Sequence, residues 1–142
     1  MGTFVGIKLD DQSVRRLHRW CKENGIKHPV VKDDYHVTLL YSDKKTFEYK
    51  PKRYYPKLYV NPNSYSIKLL GPDNDVLALT FECSELERYH RSLRSTFSLN
   101  WNFEKYQPHV TLSKKDKIPK GGISPPDFPL YLTHEYTETF KK

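Results

Sequence analysis

The tetrapeptide His-Val-Thr-Leu occurs twice in this chain, at residues 36–39 and again 73 positions later at residues 109–112. Valine and threonine are β-branched, so both copies are predicted to be strands. Because side chains alternate across a strand, the histidine and threonine of each copy share one face, and the valine and leucine share the other. One copy alone would be explained by an ordinary half-buried strand, whereas an identical repeat favours a shared function.

Each copy ends a stretch with the order strand, helix, strand. In the first stretch, residues 3–9 alternate like a strand, and residues 10–25 predict an amphipathic helix with an aspartate N-cap and a glycine stop. In the second stretch, residues 76–83 predict a strand, and a capping box with Ser84 as N-cap and Glu87 at N3 opens another amphipathic helix. This weak duplication predicts two similar lobes whose histidine–threonine faces lie opposite one another.

The rest of the chain adds strands and connections. Residues 65–70 are predicted to form a hairpin with the strand at 76–83, and residues 130–140 are predicted to be a final strand. The polar and basic stretch at 42–57 is interpreted either as a nucleic-acid-facing patch or as a solvated connection with some edge-strand character. Residues 97–103 bring three aromatic side chains, one at the end of the second helix stripe and two in the following segment.

Composition limits the class of protein. The 142 residues suffice for one domain, and a net charge of +7 favours anionic partners such as nucleotides, nucleic acid or membrane phosphates. No apolar run approaches the roughly 20 residues of a membrane-spanning helix, and no signal peptide is predicted. The two cysteines, Cys21 and Cys83, lack metal-site spacing and are interpreted as small buried side chains.

Two imidazoles and two hydroxyls around one phosphate would support cleavage of a phosphodiester beside a ribose 2′-OH. One neutral imidazole can remove the proton of the 2′-OH while a protonated one donates to the leaving 5′-oxygen. The threonine hydroxyls can donate to the non-bridging oxygens, where negative charge grows in the transition state. The product would be a 2′,3′-cyclic phosphate, which the same pair could open with water. No divalent ion is needed, and no cluster at metal-ligand spacing is found in the sequence.

The paired motifs in duplicated halves resemble the two-histidine (2H) phosphoesterase superfamily, whose signature is two His-X-Ser/Thr motifs. Within it, residues 2–5, 36–42, 106–113 and 135–136 resemble the bacteriophage anti-CBASS phosphodiesterases, which degrade cyclic di- and trinucleotide messengers of bacterial defence. The resemblance implies an α+β fold over residues 1–142, in which two pseudo-symmetric antiparallel sheets form a central cleft and the helices pack outside.

The resemblance also implies roles for individual residues. His36 and His109 would be the acid/base pair, with Thr38 and Thr111 holding the phosphate. The base-contacting positions of that family fall on Phe4, Glu135, Lys68 with Tyr65 as a nearby substitute, and Phe140. The other four histidines are interpreted as structural: His18, His28, His90 and His134.

We therefore expect a phosphodiesterase that hydrolyses 3′–5′ bonds of cyclic di- or trinucleotides such as 3′,3′-cyclic GMP-AMP, without a metal or other cofactor. The expected partner is the nucleotide alone, with no membrane and no obligate protein partner, in the cytoplasm of the infected bacterium. An enzyme that opens 2′,3′-cyclic phosphates on RNA ends is the alternative within the superfamily. A non-catalytic sponge, which binds cyclic nucleotides and releases them unchanged, is an alternative of another class.

Overall fold

The structure is a computed structural model that describes residues 2–43, 49–96 and 106–140, apart from the side chain at position 140. The described residues form two α-helices, α1 (Asp11–Glu23) and α2 (Ser84–Thr96). They also form seven strands: β1 (Gly2–Leu9), β2 (His36–Ser42), β3 (Arg53–Val60), β4 (Ser66–Leu70), β5 (Val76–Thr80), β6 (His109–Ser113) and β7 (Leu130–Phe140). None of the described helices is long and apolar enough to cross a membrane.

The strands form an antiparallel sheet in the order β3-β7-β1-β2-β6-β5-β4. The α+β class is therefore confirmed, and the two expected sheets are two halves of one sheet. Within the described chain, β2 and β6 share a single register pair, Val37 with Val110, and this pair is the boundary between the lobes. The first lobe contains β3, β7, β1 and β2, and the second contains β6, β5 and β4.

The duplication extends to an irregularity at the same place in each lobe. Between β1 and β2 the register shifts at Val5/Gly6, so that Leu39 is an extra residue on β2. Between β5 and β6 the register shifts at Leu77/Ala78, so that Leu112 is an extra residue on β6. The bulged residue is thus the leucine of each tetrapeptide. A bulge bends its strand and re-aims the neighbouring side chains.

The helices cover the face of the sheet opposite the motif histidines. Leu17 and Cys21 of α1 and Leu86 and Leu93 of α2 are buried in one core with Val37 and the other apolar strand residues. This core explains why both helices show apolar stripes, since most helix stability in proteins comes from packing of the amphipathic face.

The predicted helix ends agree with the structure, with one correction. Asp10 caps α1 by accepting a hydrogen bond from the Ser13 amide at 2.8 Å, and Gly25 follows the helix with a φ of 81°. The N-cap of α2 is Cys83 and not Ser84, because the Cys83 carbonyl already accepts from the Glu87 amide at 3.0 Å. The helix therefore begins one residue earlier than predicted.

The structure agrees with the edge-strand alternative for the last part of the stretch at 42–57. Residues 53–57 begin β3, which contains Pro56 and, among the described strands, pairs with β7 alone at the edge of the sheet. An edge position tolerates a proline, because the missing amide is not needed on the solvent side. The aromatic residues predicted at 97–103 lie outside the described residues.

Candidate active site

The repeated motifs place four half-buried side chains on one face of the sheet at the lobe boundary: His36, Thr38, His109 and Thr111. The antiparallel pair of Val37 with Val110 fixes their arrangement. In this register His36 lies opposite Thr111, and Thr38 lies opposite His109. The two histidines are therefore diagonal neighbours, and such pairs are typically about 7–8 Å apart. The charge of His109 acts on His36, as expected for imidazoles that share one cleft.

Both motif histidines are oriented in the same way by the backbone. His36 Nδ1 lies 2.7 Å from the Asp34 carbonyl oxygen, and His109 Nδ1 lies 2.8 Å from the Gln107 carbonyl oxygen. A carbonyl oxygen only accepts, so Nδ1 carries the proton in each ring. In the neutral form, Nε2 is then the nitrogen with the free electron pair. The arrangement leaves each histidine able to exchange a proton through Nε2.

The surroundings of both imidazoles favour the neutral form. Burial lowers the pKa of His36, the hydrogen bond to the Asp34 carbonyl opposes this change, and the charges of Lys8 and His109 lower the pKa further. Burial also lowers the pKa of His109 against the opposing hydrogen bond to the Gln107 carbonyl. A bound phosphate would reverse these shifts, because an adjacent anion favours imidazolium.

The two motif threonines each face a very small residue on the neighbouring strand. Thr38 pairs with Gly6 of β1, and Thr111 pairs with Ala78 of β5. Beside Thr111 the neighbouring side chain is a single methyl group, whereas on the Thr38 side the ring of Tyr136 covers Gly6. Both threonines are half-buried on the face of the motif histidines, where their hydroxyls can donate to an anion held between the lobes.

A cavity of about 470 Å³ opens beside His36 on the first lobe, within the size range of small-molecule sites. Phe4 contributes a ring 5.6 Å from the His36 ring, nearly perpendicular to it, and 5.7 Å from the Tyr136 ring. The lining side chains are Phe4, Lys8, Asp33, Asp34, His36, Tyr41, Tyr136 and Glu138. The second histidine lies outside this cavity, which makes the surroundings of the two motifs unequal.

Carboxylates form part of the cavity wall. Glu138 lies opposite Phe4 across β1 and β7, and burial together with the charges of Glu138 and Asp34 raises the pKa of Tyr136 to about 12. A carboxylate next to aromatic rings can accept hydrogen bonds from the amino and imino groups of a stacked base.

A row of basic side chains crosses the first lobe on the face of the motif histidines: His36, Lys8, His134 and Arg53. Each is the register partner of the next on four neighbouring strands, and partners in an antiparallel pair point to the same face. Tyr54 confirms this orientation of the row's last member, because it turns to the other face and donates to Glu135 at 2.8 Å. Lys8 Nζ donates to the Asp33 carbonyl at 2.7 Å, which leaves two of its three protons for other acceptors.

The structure brings two of the residues expected to contact bases to this face. Phe4 lies in the cavity wall, and Lys68 is an exposed residue in the cross-strand row that runs through Ala78 to Thr111. Tyr65 is not brought there. Its ring is part of the hydrophobic core, so it does not substitute for a base-stacking aromatic. The backbone of Phe140 pairs with Gly2 at the end of β7, and its side chain lies outside the described atoms.

The expectation that Glu135 contacts a base is wrong. Glu135 is 4% exposed and pairs with the buried Ile7, which points away from the cleft. Its carboxylate accepts hydrogen bonds from the Tyr49 and Tyr54 hydroxyls and from the Lys52 amide. It anchors the segment before β3 to β7.

Six of the eight residues that line the cavity were not among the predicted site residues: Lys8, Asp33, Asp34, Tyr41, Tyr136 and Glu138. The alternation of β7 was a usable signal, because residues 134, 136 and 138 share the face opposite to residue 135. Only the pairing of β7 with β1 shows which of these two faces meets His36. Among residues 2–43, 49–96 and 106–140, no three His, Cys, Asp or Glu side chains converge as a metal site.

Comparison with known proteins adds a family and a set of structures with a similar fold. A family model described as "Anti-CBASS protein Acb1" matches residues 1–142. The Anti-CBASS protein Acb1 of Vibrio phage KVP40 is 31% identical over 117 residues, covering 82% of this chain and 75% of that protein. The protein of the same name from Acinetobacter phage Ac42 is 27% identical over 143 aligned positions, covering 96% of this chain and 89% of that protein.

Solved structures show the same fold. A crystal structure of a phosphoesterase superposes with a TM-score of 0.69 at 17% identity, covering 96% of this chain and 86% of that chain. Escherichia coli LigT complexed with 3′-AMP gives a TM-score of 0.67 at 18% identity, covering 99% of this chain and 89% of that chain. At these identities the likeness shows the fold alone.

Proposed function

The chain belongs to the Acb1 family of anti-CBASS proteins, a group with the 2H phosphoesterase fold, and from this premise we propose that it hydrolyses 3′–5′ bonds of cyclic di- and trinucleotide messengers. The coarser statement, an anti-CBASS phosphodiesterase, follows from the family and the fold. The substrate, the residues and the steps are the proposal. The reaction would take place in the cytoplasm of the infected host, where such messengers are made.

In the first step, the Nε2 of one neutral motif histidine removes the proton of the ribose 2′-OH. The 2′-oxygen attacks the phosphorus, the bond from phosphorus to the 5′-oxygen breaks, and the second, protonated histidine donates its Nε2 proton to that leaving oxygen. The product is a linear nucleotide with a 2′,3′-cyclic phosphate. In the second step the roles are exchanged, water attacks the phosphorus, and the 2′-oxygen leaves with a proton.

The threonines would stabilise the charge that develops on the phosphate. Their half-buried hydroxyls lie diagonally across the lobe boundary, so each can donate to a non-bridging oxygen. The aromatic cavity beside His36 would receive the base of a nucleoside next to the scissile phosphate, stacked on Phe4 or Tyr136. In this proposal Glu138, and not Glu135, is the acidic residue that faces the base.

The observation that supports this reaction best is the matched hydrogen bonding of the two imidazoles. Each Nδ1 is occupied by a backbone carbonyl, at 2.7 Å for His36 and 2.8 Å for His109, so both rings keep Nε2 for proton exchange. A protein that only binds cyclic nucleotides has no need of two proton-transfer groups prepared in this way. The sponge alternative leaves this feature unexplained.

The test is incubation of the purified protein with 3′,3′-cyclic GMP-AMP in EDTA, with products followed by mass spectrometry. We expect linear products, including a 2′,3′-cyclic phosphate, and a loss of about 10²–10⁴ in rate for His36→Ala and for His109→Ala. His28→Ala is the matched control. This imidazole lies in an exposed loop, so we expect the substitution to leave the rate unchanged. Intact substrate recovered after denaturation, or undiminished cleavage by either alanine variant, would contradict the proposal.

The basic row supports RNA-end cleavage as a second candidate. Four strands at a spacing of about 4.8 Å make the row roughly 14 Å long, enough to follow more than one phosphate of a linear strand. A short RNA ending in a 2′,3′-cyclic phosphate should therefore be tested in parallel. If the RNA end is opened faster than the cyclic dinucleotide is cut, the RNA-end function is favoured.

A further inference from the structure

Two carbonyl groups at the bulge of β2 accept hydrogen bonds from side chains of the second lobe. The Tyr106 hydroxyl donates to the Thr38 carbonyl at 2.7 Å, and His90 Nδ1 donates to the Leu39 carbonyl at 2.7 Å. The two donor rings stack on one another with centroids 4.1 Å apart and planes 7° from parallel. We call the stacked pair of His90 and Tyr106 the brace.

The brace lies where the backbone connection between the lobes is weakest. A bulge disrupts the ladder of hydrogen bonds around the extra residue, so carbonyls there need other donors. β2 and β6 share only the Val37–Val110 pair within the described chain. The brace adds two bonds across this boundary, from a ring in α2 and a ring in the segment leading to β6, and both rings are buried.

The brace is also directly connected to the second histidine. Gln107 follows Tyr106, and its carbonyl accepts the proton of His109 Nδ1 at 2.8 Å. The Gln107 side chain donates to the Phe81 carbonyl at 3.0 Å, which fixes this short segment to the end of β5. Tyr106 therefore binds the backbone of Thr38, and the next residue, Gln107, orients the ring of His109.

From this geometry we infer that His90 and Tyr106 are positioning residues that set the distance between the Thr38 hydroxyl and the His109 imidazole. The inference rests on the proposed function, because it concerns the placing of groups that act on one phosphate. Neither residue lines the cavity or touches the substrate in this arrangement. A displacement of the order of 1 Å between groups that must act together can cost about 10²-fold in rate.

The first lobe provides a matched control. His18 of α1 lies one helix position after the equivalent of His90, and its Nδ1 lies 2.8 Å from the hydroxyl of the buried Tyr35. This pair joins a helix to the segment before β2 but bonds no carbonyl of a motif strand. Tyr35→Phe and Tyr106→Phe therefore each remove one buried hydroxyl and keep the ring, and only the second releases a motif carbonyl.

The experiment compares these two variants with the wild-type chain in cyclic dinucleotide cleavage and in thermal unfolding. We expect both to lower Tm to a similar extent. Tyr106→Phe should lower kcat about tenfold or more, with KM within about twofold of wild type, and Tyr35→Phe should retain kcat. If the two variants have the same kcat, the brace acts on stability alone and the inference fails.

A second readout does not depend on turnover. The ring resonances of His109, followed by NMR as a function of pH, should shift in Tyr106→Phe and stay unchanged in Tyr35→Phe. His90→Phe, which keeps an aromatic ring but removes the donor to Leu39, should shift them in the same direction. Unchanged His109 resonances in both brace variants would overturn the inference. A wild-type chain that cleaves nothing would contradict the proposed function, while the NMR comparison would still decide the brace.

Discussion

At the scale of single residues, the two motif histidines are equivalent in tautomer and unequal in surroundings. Each is held through Nδ1 by the carbonyl two residues earlier in the chain. Burial and the charge of Lys8 both lower the pKa of His36, whereas burial alone lowers the pKa of His109. The reaction needs one neutral and one protonated ring. Because both pKa values lie below 6.5 in the free enzyme, the protonated ring is the scarcer of the two at neutral pH.

This arrangement predicts a pH profile. As pH rises through the lowered pKa values, the general acid is lost, so the alkaline limb of kcat/KM should lie below pH 6.5, the ordinary histidine value. The alkaline limb of kcat should lie at higher pH, because a bound phosphate favours imidazolium in the complex. Initial rates over a range of substrate concentrations and pH give both profiles. Limbs of kcat and kcat/KM at the same pH would contradict this explanation.

The two acidic residues of β7 predict opposite phenotypes. Glu135→Gln puts an amide where three donors meet a carboxylate, so we expect a loss of about 2–4 kcal/mol in the free energy of unfolding. Glu138→Gln changes an exposed side chain at the cavity and should alter stability by less than about 0.5 kcal/mol while raising KM. Urea unfolding and steady-state kinetics on both variants make the comparison. A stable Glu135→Gln variant with a raised KM would restore the original assignment of Glu135 to the base.

At the scale of elements, the bulges decide how the motif strands are presented. Alternation alone predicted that histidine and threonine share a face, and the structure agrees. That the leucine of each tetrapeptide is an extra residue depends on the register with β1 and β5, which strand propensity does not specify. The bounds of β3 likewise depend on its pairing with β7, because a proline and several charged residues weaken the strand pattern in its sequence.

Gly6 of β1 lies beside the bulge in the first lobe, and the effect of substituting it should depend on Tyr136 of β7. A Cβ at this position would lie 2.6 Å from the ring carbon Cζ of Tyr136, so Gly6→Ala must displace that ring from the cavity wall. We expect a loss of roughly 1–3 kcal/mol in stability and a raised KM. In a Tyr136→Leu background the same substitution should cost less, and a double-mutant cycle measures the difference. Equal costs in both backgrounds would show that the ring does not restrict this position.

At the scale of the whole molecule, the sequence predicted the order of elements because it contains the duplicated unit in full. A related pattern lies in the helices, where Arg16-Leu17-His18-Arg19 and Arg88-Tyr89-His90-Arg91 are 72 positions apart. The tetrapeptides and the first residues of the two helices are 73 positions apart, so the two helix histidines do not occupy equivalent helix positions. The face that Glu135 presents and the cavity beside His36 could not be predicted, because both depend on how β7 pairs with β1 across most of the chain length.

The diagonal arrangement of the motifs has a consequence for the strand polarity of the substrate. A half-turn about an axis perpendicular to the sheet, midway between Val37 and Val110, exchanges the two histidines and the two threonines and leaves the same groups around a bound phosphorus. Under the proposed function, the four motif side chains would accept a phosphodiester in either 5′-to-3′ direction. Among the described residues the aromatic cavity of the first lobe breaks this symmetry, so it would decide which histidine removes the first proton.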